Sequence, residues 1–197
     1  MKHMRIQKQF FTLVILIAIN ISVSAQSYSD GDLTIWITGG STLHDWKVKA
    51  EEVKDFPSSL EVTSQEQFDI NGFSFAVVVK SMDGGRGPSM NNKIYKALMA
   101  DTHPEILFRQ KSSAQFSLSE SEGGWSASIE GTVNMVGQER EIEVVAKGEA
   151  QENSIIFTGA IPLKLSDFDI EPPSAMFGQI QTKDDIVVHF ELEYQKS

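Results

Sequence analysis

Apolar and polar residues alternate along most of the chain with a period of two, which is the period of a strand that buries one face. The run Ile186, Val188, Phe190, Leu192 and Tyr194 shows this most clearly. Similar runs lie at 33–38, 44–50, 73–79, 106–108, 116–118, 125–129, 142–146 and 157–161. Glycine pairs between several runs favour tight turns. The pattern predicts an all-β fold of about eight antiparallel strands.

Strands with one apolar face can bury that face in two ways. One sheet can close into a barrel, or two sheets can pack as a sandwich. The alternation alone leaves both open and favours the barrel only slightly.

One segment departs from the strand period. Met90, Ile94 and Leu98 lie on one helical stripe, Ser89 is suited to be the N-cap, and Pro104 lies beyond the end. The spacing predicts one short amphipathic α-helix over 89–99. This helix would cover a barrel end, either as a plug or as a gate beside a ligand mouth, and the lack of polar groups on its stripe favours the plug.

The first 25 residues contain the three parts of a secretory signal peptide. Lys2, Arg5 and Lys8 precede an apolar run over 10–23, and Val23-Ser24-Ala25 forms a small-residue cleavage site. We therefore expect a signal peptide over 1–25 and one domain over 26–197, located in the periplasm or secreted. The apolar run is short for a bilayer span of ~20 residues, so we expect no integral membrane span after cleavage.

The chain is acidic, with a net charge of −10 over 197 residues. Nucleic acid and anionic membrane surfaces would repel such a protein, which argues against both as partners. Cysteine is absent, so disulfides and thiol chemistry are excluded and a core must supply the stability.

Few side chains suggest catalysis or metal binding. His44, His103 and His189 lack the close spacing of metal ligands, so we expect no metal site and no cofactor. His44 and Asp45 would point to opposite faces of a strand, which prevents a catalytic pair. Ser74 lies inside an alternating run rather than at a strand-to-helix turn. A hydrolase would therefore lack a recognisable nucleophile, and we expect a protein that is not an enzyme.

Four blocks in order carry a family resemblance over nearly all of 26–197. The first is Gly39-Gly40-Ser41-Thr42-Leu43-His44-Asp45-Trp46. The second is 75–85, which runs into the helix and on to 101–108 with its Asp101-Thr102-His103-Pro104. The third is 129–136 followed by 142–146, and the fourth is 157–170, with Leu165-Ser166-Asp167-Phe168-Asp169-Ile170, together with 186–192. Together they resemble the lipid- or polyisoprenoid-binding YceI-like family. The resemblance implies a lipocalin-like antiparallel β-barrel of eight strands outside the cytoplasm, with an isoprenoid chain in an apolar pore.

A barrel of about eight strands has room for core side chains or for one slender ligand. Bulky residues on the predicted inward faces are mixed with the small residues Ala50, Ala127, Ala146 and Gly159, which could leave a channel. We expect the ligand to be bound by His44, Trp46, Phe75, Val77, Arg86, Ile94, Leu98, Phe108, Trp125, Ile129, Phe157, Phe168 and Phe190.

The favoured hypothesis is an exported binding protein that sequesters or carries a long-chain isoprenoid or other amphiphilic lipid, with the headgroup near 84–104. Arg86 offers two parallel donors to a diphosphate or carboxylate headgroup. His44 is either a polar cap at a barrel end or a donor to the headgroup. The alternative is a filled barrel that acts as an interaction module for an envelope partner. The sequence identifies neither the lipid nor the oligomeric state, and a homodimer is possible.

Overall fold

The computed structural model describes residues 28–54, 59–62, 67–119, 124–175 and 177–196. The signal peptide predicted over 1–25 lies outside these residues. Within them the chain forms one α-helix, α1 (Pro88–Ala97), two 3-10 turns (Val79–Ser81 and Leu165–Phe168) and fourteen strands. The strands are β1 (Tyr28–Ser41), β2 (Asp45–Ala50), β3 (Val53–Lys54), β4 (Ser59–Val62), β5 (Gln67–Asn71), β6 (Ser74–Val78), β7 (Met82–Asp83), β8 (Glu105–Gln110), β9 (Ala114–Ser119), β10 (Gly124–Met135), β11 (Gln138–Ala150), β12 (Ser154–Lys164), β13 (Ser174–Ala175) and β14 (Ile180–Lys196).

The sheet is antiparallel and curls into a barrel. Its hydrogen-bonded order is β3-β6-β8-β10-β11-β12-β14-β1-β2-β7. The two ends of this order meet, because β2 and β3 lie along β6 and β7: Ala50 pairs with Met82 and Val53 with Val77. The predicted all-β, lipocalin-like antiparallel barrel is therefore confirmed.

The strand number exceeds the prediction because several long strands are interrupted. β5, β6 and β7 follow one another along one line of the barrel, with a break at Gly72, whose φ is 69°. β8 and β9 likewise pair with successive parts of β10. Grouped in this way, the strands form the lines β1, β2–β4, β5–β7, β8–β9, β10, β11, β12 and β14, while β13 pairs only with β14.

The alternation of the sequence becomes an inward face and an outward face. On β14, Phe190, Leu192 and Tyr194 are buried, whereas the intervening Glu191 is exposed. On β11, Val144 and Ala146 are buried between exposed neighbours. Removing such apolar surface from water contributes about 25 cal/mol per Å2, which is the main stabilising term of a barrel without disulfides.

The helix lies across one end of the barrel and begins earlier than predicted. Its N-cap is Gly87 and not Ser89, and Pro88 occupies the first helical position. Gly87 has φ 79°, a conformation that favours glycine, and proline suits a position whose N–H has no helical acceptor. Tyr95 Oη donates a hydrogen bond of 3.2 Å to the carbonyl oxygen of Met82, which joins the helix to β7.

Candidate functional site

A cavity of about 310 Å3 lies in the barrel interior beneath α1 and the β1–β2 turn. Its size is at the lower end of the range of ~300–1,000 Å3 typical of small-molecule sites. Most of its wall is aliphatic, and its polar side chains are Ser41, His44, Arg86, Lys93, Ser174 and Thr182. Within the described part of the chain, no Asp or Glu lines it. We call this part of the barrel the open half.

The remaining interior, which we call the filled half, is occupied by aromatic side chains. Phe116 contacts Phe68 and Phe157 at centroid distances of 5.0 and 4.9 Å. Phe157 also meets Tyr194 edge to face at 5.7 Å. The void at the boundary of this half has a volume of only about 10 Å3, well below the ~30 Å3 that a water molecule takes in the liquid.

Several inward-facing rings pack directly on glycines of neighbouring strands. A Cβ added to Gly148 would lie 2.7 Å from the ring of Phe157, and one added to Gly159 would overlap the ring of Phe190. The ring of Phe108 covers Gly131 in the same way. A small residue here makes room for a ring from the next strand. At Gly159 the channel expected from the small inward residues is therefore occupied by protein.

Part of the predicted ligand-binding set lines the cavity of the open half. These residues are His44, Trp46, Phe75, Val77, Arg86, Ile94, Leu98 and Phe108.

The other predicted residues lie elsewhere in the interior. Ile129 and Phe190 line only the small void. Trp125 contacts Phe68 in the filled half, as Phe157 does. Phe168 is 1% exposed, and the guanidinium carbon of Arg140 lies 5.9 Å from its ring centre. The structure therefore does not bring these residues into the cavity.

Sequence reasoning missed much of the aliphatic wall. The additional lining residues include Ile35, Ile37, Val48, Met82, Met90, Ile106, Val133, Met135, Ile161, Leu163, Leu165, Ile170, Ile180, Ile186 and Val188. Some share a face with a predicted residue: Val48 follows Trp46 by two positions and Met90 precedes Ile94 by four, so the same periodicities could have found them. The sequence does not mark Lys93 as a lining residue, because lysines are common on the solvent-exposed faces of helices.

The turn between β1 and β2 forms one side of the cavity rim. The Ser41 hydroxyl accepts hydrogen bonds from the backbone N–H groups of Leu43 (3.2 Å) and His44 (3.1 Å) and donates to the His44 carbonyl oxygen at 2.8 Å. Trp46 Nε1 donates to the Gly40 carbonyl oxygen at 3.0 Å, and the Trp46 ring covers Gly39. The residues Gly39 to Trp46 thus build a hydrogen-bonded turn that places His44 and Trp46 in the cavity wall.

His44 and Arg86 meet at this rim. The Arg86 guanidinium donates to His44 Nε2 at 2.7 Å, and His44 Nδ1 donates to the Asp45 carbonyl oxygen at 2.9 Å. One neutral tautomer of the imidazole satisfies both contacts. His44 interacts with the main chain of Asp45, so the two side chains do not form a catalytic pair. The contact orients Arg86 and leaves its other donors available.

The loop that carries Arg86 is held by Asp83. One carboxylate oxygen of Asp83 accepts hydrogen bonds from Asn91 Nδ2 (3.0 Å) and the Gly85 N–H (3.1 Å). Asn91 Oδ1 in turn accepts from the Gly84 N–H at 3.0 Å. The hydrogen bond from Asn91, followed by that from Gly85, lowers the pKa of Asp83 below its ordinary value. The charged form of Asp83 therefore stabilises the loop.

Comparison with known proteins identifies the family. The model of the YceI-like domain matches residues 22–194. The chain belongs to the YceI-like family. No curated protein matches this YceI-like chain.

Solved structures share its fold at low sequence identity. BcnA of Burkholderia cenocepacia is 13% identical, with a TM-score of 0.62 over 82% of this chain and 95% of its own. A polyisoprenoid binding domain from Saccharophagus degradans, implicated in plant cell wall breakdown, is 12% identical, with a TM-score of 0.53 over 88% and 99%. The YCEI protein of Campylobacter jejuni is 14% identical, with a TM-score of 0.53 over 76% and 84%. These likenesses establish a shared fold.

The described residues of this YceI-like chain contain neither a cluster of metal ligands nor a membrane-spanning helix. Among these residues, no three His, Asp or Glu side chains lie close enough together to hold a metal ion. In the same residues, no helix has the length and apolar character needed to cross a membrane.

Proposed function

We propose that the chain is an exported, non-enzymatic binding protein that sequesters or carries an amphiphilic lipid, of the isoprenoid type or with another apolar tail. The apolar cavity of about 310 Å3 in the open half is the observation that carries this proposal. The lipid tail lies in the cavity and the headgroup lies at the rim. Tail burial supplies the affinity, since each buried methylene contributes about 0.8 kcal/mol.

The rim favours a headgroup with negative charge. Arg86 and Lys93 are its charged side chains, and neither forms an ion pair within 4.0 Å with a described carboxylate. This local excess of positive charge occurs in a chain with a net charge of −10. A carboxylate or phosphate fits, because a guanidinium can donate two parallel hydrogen bonds to its oxygens.

Family membership supports a binding role. The neighbour from Saccharophagus degradans is named as a polyisoprenoid binding domain.

In the open half, the polar residues are spread around the rim, and His44 forms hydrogen bonds with Arg86 and a main-chain oxygen rather than with a hydroxyl. We find no arrangement of a nucleophile with a base among these lining residues.

Export rests on the sequence of residues 1–25. We propose that this segment directs the protein to the periplasm or out of the cell and is removed. N-terminal sequencing of the protein recovered from its native host tests this, and a retained N-terminus would contradict it.

Lipid extraction tests the binding role. Protein purified from its native host is extracted with organic solvent, and the extract is analysed by mass spectrometry. We expect one class of amphiphile in stoichiometric amount. Protein that is consistently empty and takes up no prenol, quinone or fatty acid would contradict the proposal.

A variant pair tests the headgroup. Decanoate and decanol have the same tail, so the ratio of their dissociation constants measures recognition of the charge. We expect Arg86→Gln to reduce the preference for decanoate by about tenfold. This is the change expected when one charge-assisted hydrogen bond of ~1.5 kcal/mol is lost. Arg109→Gln is the matched control, because Arg109 is exposed and does not line the cavity.

The alternative of a filled barrel that serves as an interaction module accounts for the aromatic half only. It predicts an interior occupied throughout by large side chains, whereas the open half contains the cavity. We therefore favour the lipid carrier.

A further inference from the structure

Three side chains separate the cavity of the open half from the small void beyond it. Phe75, Phe108 and Ile161 line both spaces, and we call them the partition. They are 8%, 5% and 6% exposed and project from β6, β8 and β12. The free volume is about 310 Å3 on the rim side and about 10 Å3 on the other. The accessible interior therefore ends at the partition.

The partition is held from several sides. The rings of Phe75 and Phe108 stack with centroids 5.2 Å apart and an interplanar angle of 23°. Phe73 packs against both, at 5.6 and 5.8 Å. The ring of Phe108 also covers Gly131, where an added Cβ would lie 2.5 Å from Cε2. These contacts pack the rings on the side away from the cavity, so the rings cannot swing toward the filled half without displacing their neighbours.

We propose that the partition limits the length of the lipid tail that the site buries. This inference rests on the proposed function and adds a specificity to it. A water molecule, similar in size to a methylene, takes ~30 Å3 of liquid, so a cavity of about 310 Å3 holds roughly ten chain carbons. The preferred ligand is an anionic amphiphile with a single tail of that length. A longer tail leaves its further carbons outside the rim, where they gain no burial.

Calorimetric titration with a series of fatty acids tests the limit. The delipidated protein is titrated with saturated fatty acids from octanoate to hexadecanoate below their micellar concentrations. Each buried methylene is expected to tighten binding about fourfold. We expect this gain to stop at roughly ten carbons. A dissociation constant that keeps falling fourfold per carbon through hexadecanoate would overturn the inference.

Variants of the partition locate the limit. Ile161→Ala removes three side-chain carbons from the partition, so we expect the limit to rise by roughly two carbons. Ile155→Ala is the matched control, because Ile155 lies on the same strand, is 5% exposed and lines neither space. Phe75→Leu should also raise the limit, with Phe116→Leu as its control. If neither partition variant moves the limit, the partition does not set it.

Prenyl ligands distinguish the source of the tail and separate the two proposals. Geranyl and farnesyl diphosphate are titrated in parallel with the fatty acids. A length limit in either series supports the inference and shows whether prenyl or straight chains are preferred. Binding of every length with no limit overturns the tail-length inference and leaves the carrier function intact. A failure of all chains to bind overturns both.

Discussion

The open and filled halves of the barrel are built from the same long strands but differ in the size of their inward side chains. On β14, Ile186 and Val188 lie beside the cavity, whereas Tyr194 lies in the filled half. On β12, Leu163 lines the cavity and Phe157 is in the aromatic cluster. An eight-stranded barrel is just wide enough for its own side chains or a small ligand. Residue size along each strand therefore decides which end stays free.

The two halves are also held together by different interactions. The filled half depends on rings that pack on one another and on glycines. In the open half, the helix and turns are fixed by hydrogen bonds that the side chains of Ser41, Asp83 and Asp184 accept. We expect large substitution effects in the filled half and smaller, pH-dependent effects at the rim.

The largest effect should come from Phe157→Ala. Phe157 is 1% exposed and contacts Phe68, Phe116 and Tyr194. Removing the ring leaves a new cavity and should lower the free energy of unfolding by about 3–5 kcal/mol. Urea denaturation measures it.

The comparison is Leu98→Ala, because Leu98 is 8% exposed and already faces an empty space. A side chain with fewer packing contacts loses less stabilisation when it is truncated. We therefore expect the free energy of unfolding to fall by about 2 kcal/mol, the lower end for such substitutions. Equal losses for the two variants would show that the open half is as tightly packed as the filled half.

A smaller effect should come from Gly159→Ala. The new methyl group would overlap the Phe190 ring, and overpacking of this kind costs about 1–3 kcal/mol. At Gly40 in the open half, a methyl group would meet Lys183 Cδ at 3.0 Å, part of a flexible and exposed side chain. Gly40→Ala should therefore cost less than about 1 kcal/mol. Thermal and urea unfolding of both variants test whether Gly159→Ala is the more destabilising. A larger loss of stability for Gly40→Ala would contradict the division into a tightly packed filled half and an open half.

Much of the fold follows from the sequence. Alternating residues give the inward face of each strand, and turn glycines separate the strands, which together predict the antiparallel all-β class. The pattern alone left a sandwich open, and the family resemblance pointed to the barrel. The breaks within β5–β7 and β8–β9 were not predicted, because a bend or an interrupted ladder changes little in the apolar period.

The site was only partly predictable, for a physical reason. Alternation tells which face a residue occupies and nothing about its depth along the barrel. Phe75 and Phe157 therefore looked equivalent, although one lines the cavity and the other fills the opposite half. His44 and Arg86 are 42 positions apart and meet because two loops reach the same barrel end. The periodicity of the sequence does not predict a contact between residues of two separate loops.

The smallest effect, and the one that depends on pH, concerns Asp184. Its carboxylate accepts hydrogen bonds from the Ser166 N–H at 2.8 Å and the Ser166 hydroxyl at 2.6 Å, which fixes the 3-10 turn that carries Leu165 into the cavity. The side-chain bond, followed by the backbone bond, lowers the pKa of Asp184 below its ordinary value of 3.8. A carboxylate with a lowered pKa stabilises the fold above the unfolded value, and this contribution is lost as pH falls through the folded value.

We therefore expect Asp184→Asn to be less stable than the natural chain near neutral pH, since a neutral amide oxygen is a weaker acceptor than a carboxylate. The difference should shrink as pH falls below 3.8, because protonation removes the charge from the natural chain too. Urea unfolding near neutral pH and below pH 3.8 measures the difference in the free energy of unfolding. The variant Asp185→Asn, at the exposed neighbouring residue, is the control. A difference that persists undiminished in acid would mean that Asp184 acts through packing. In that case the rim would be held by contacts of the same kind as the filled half.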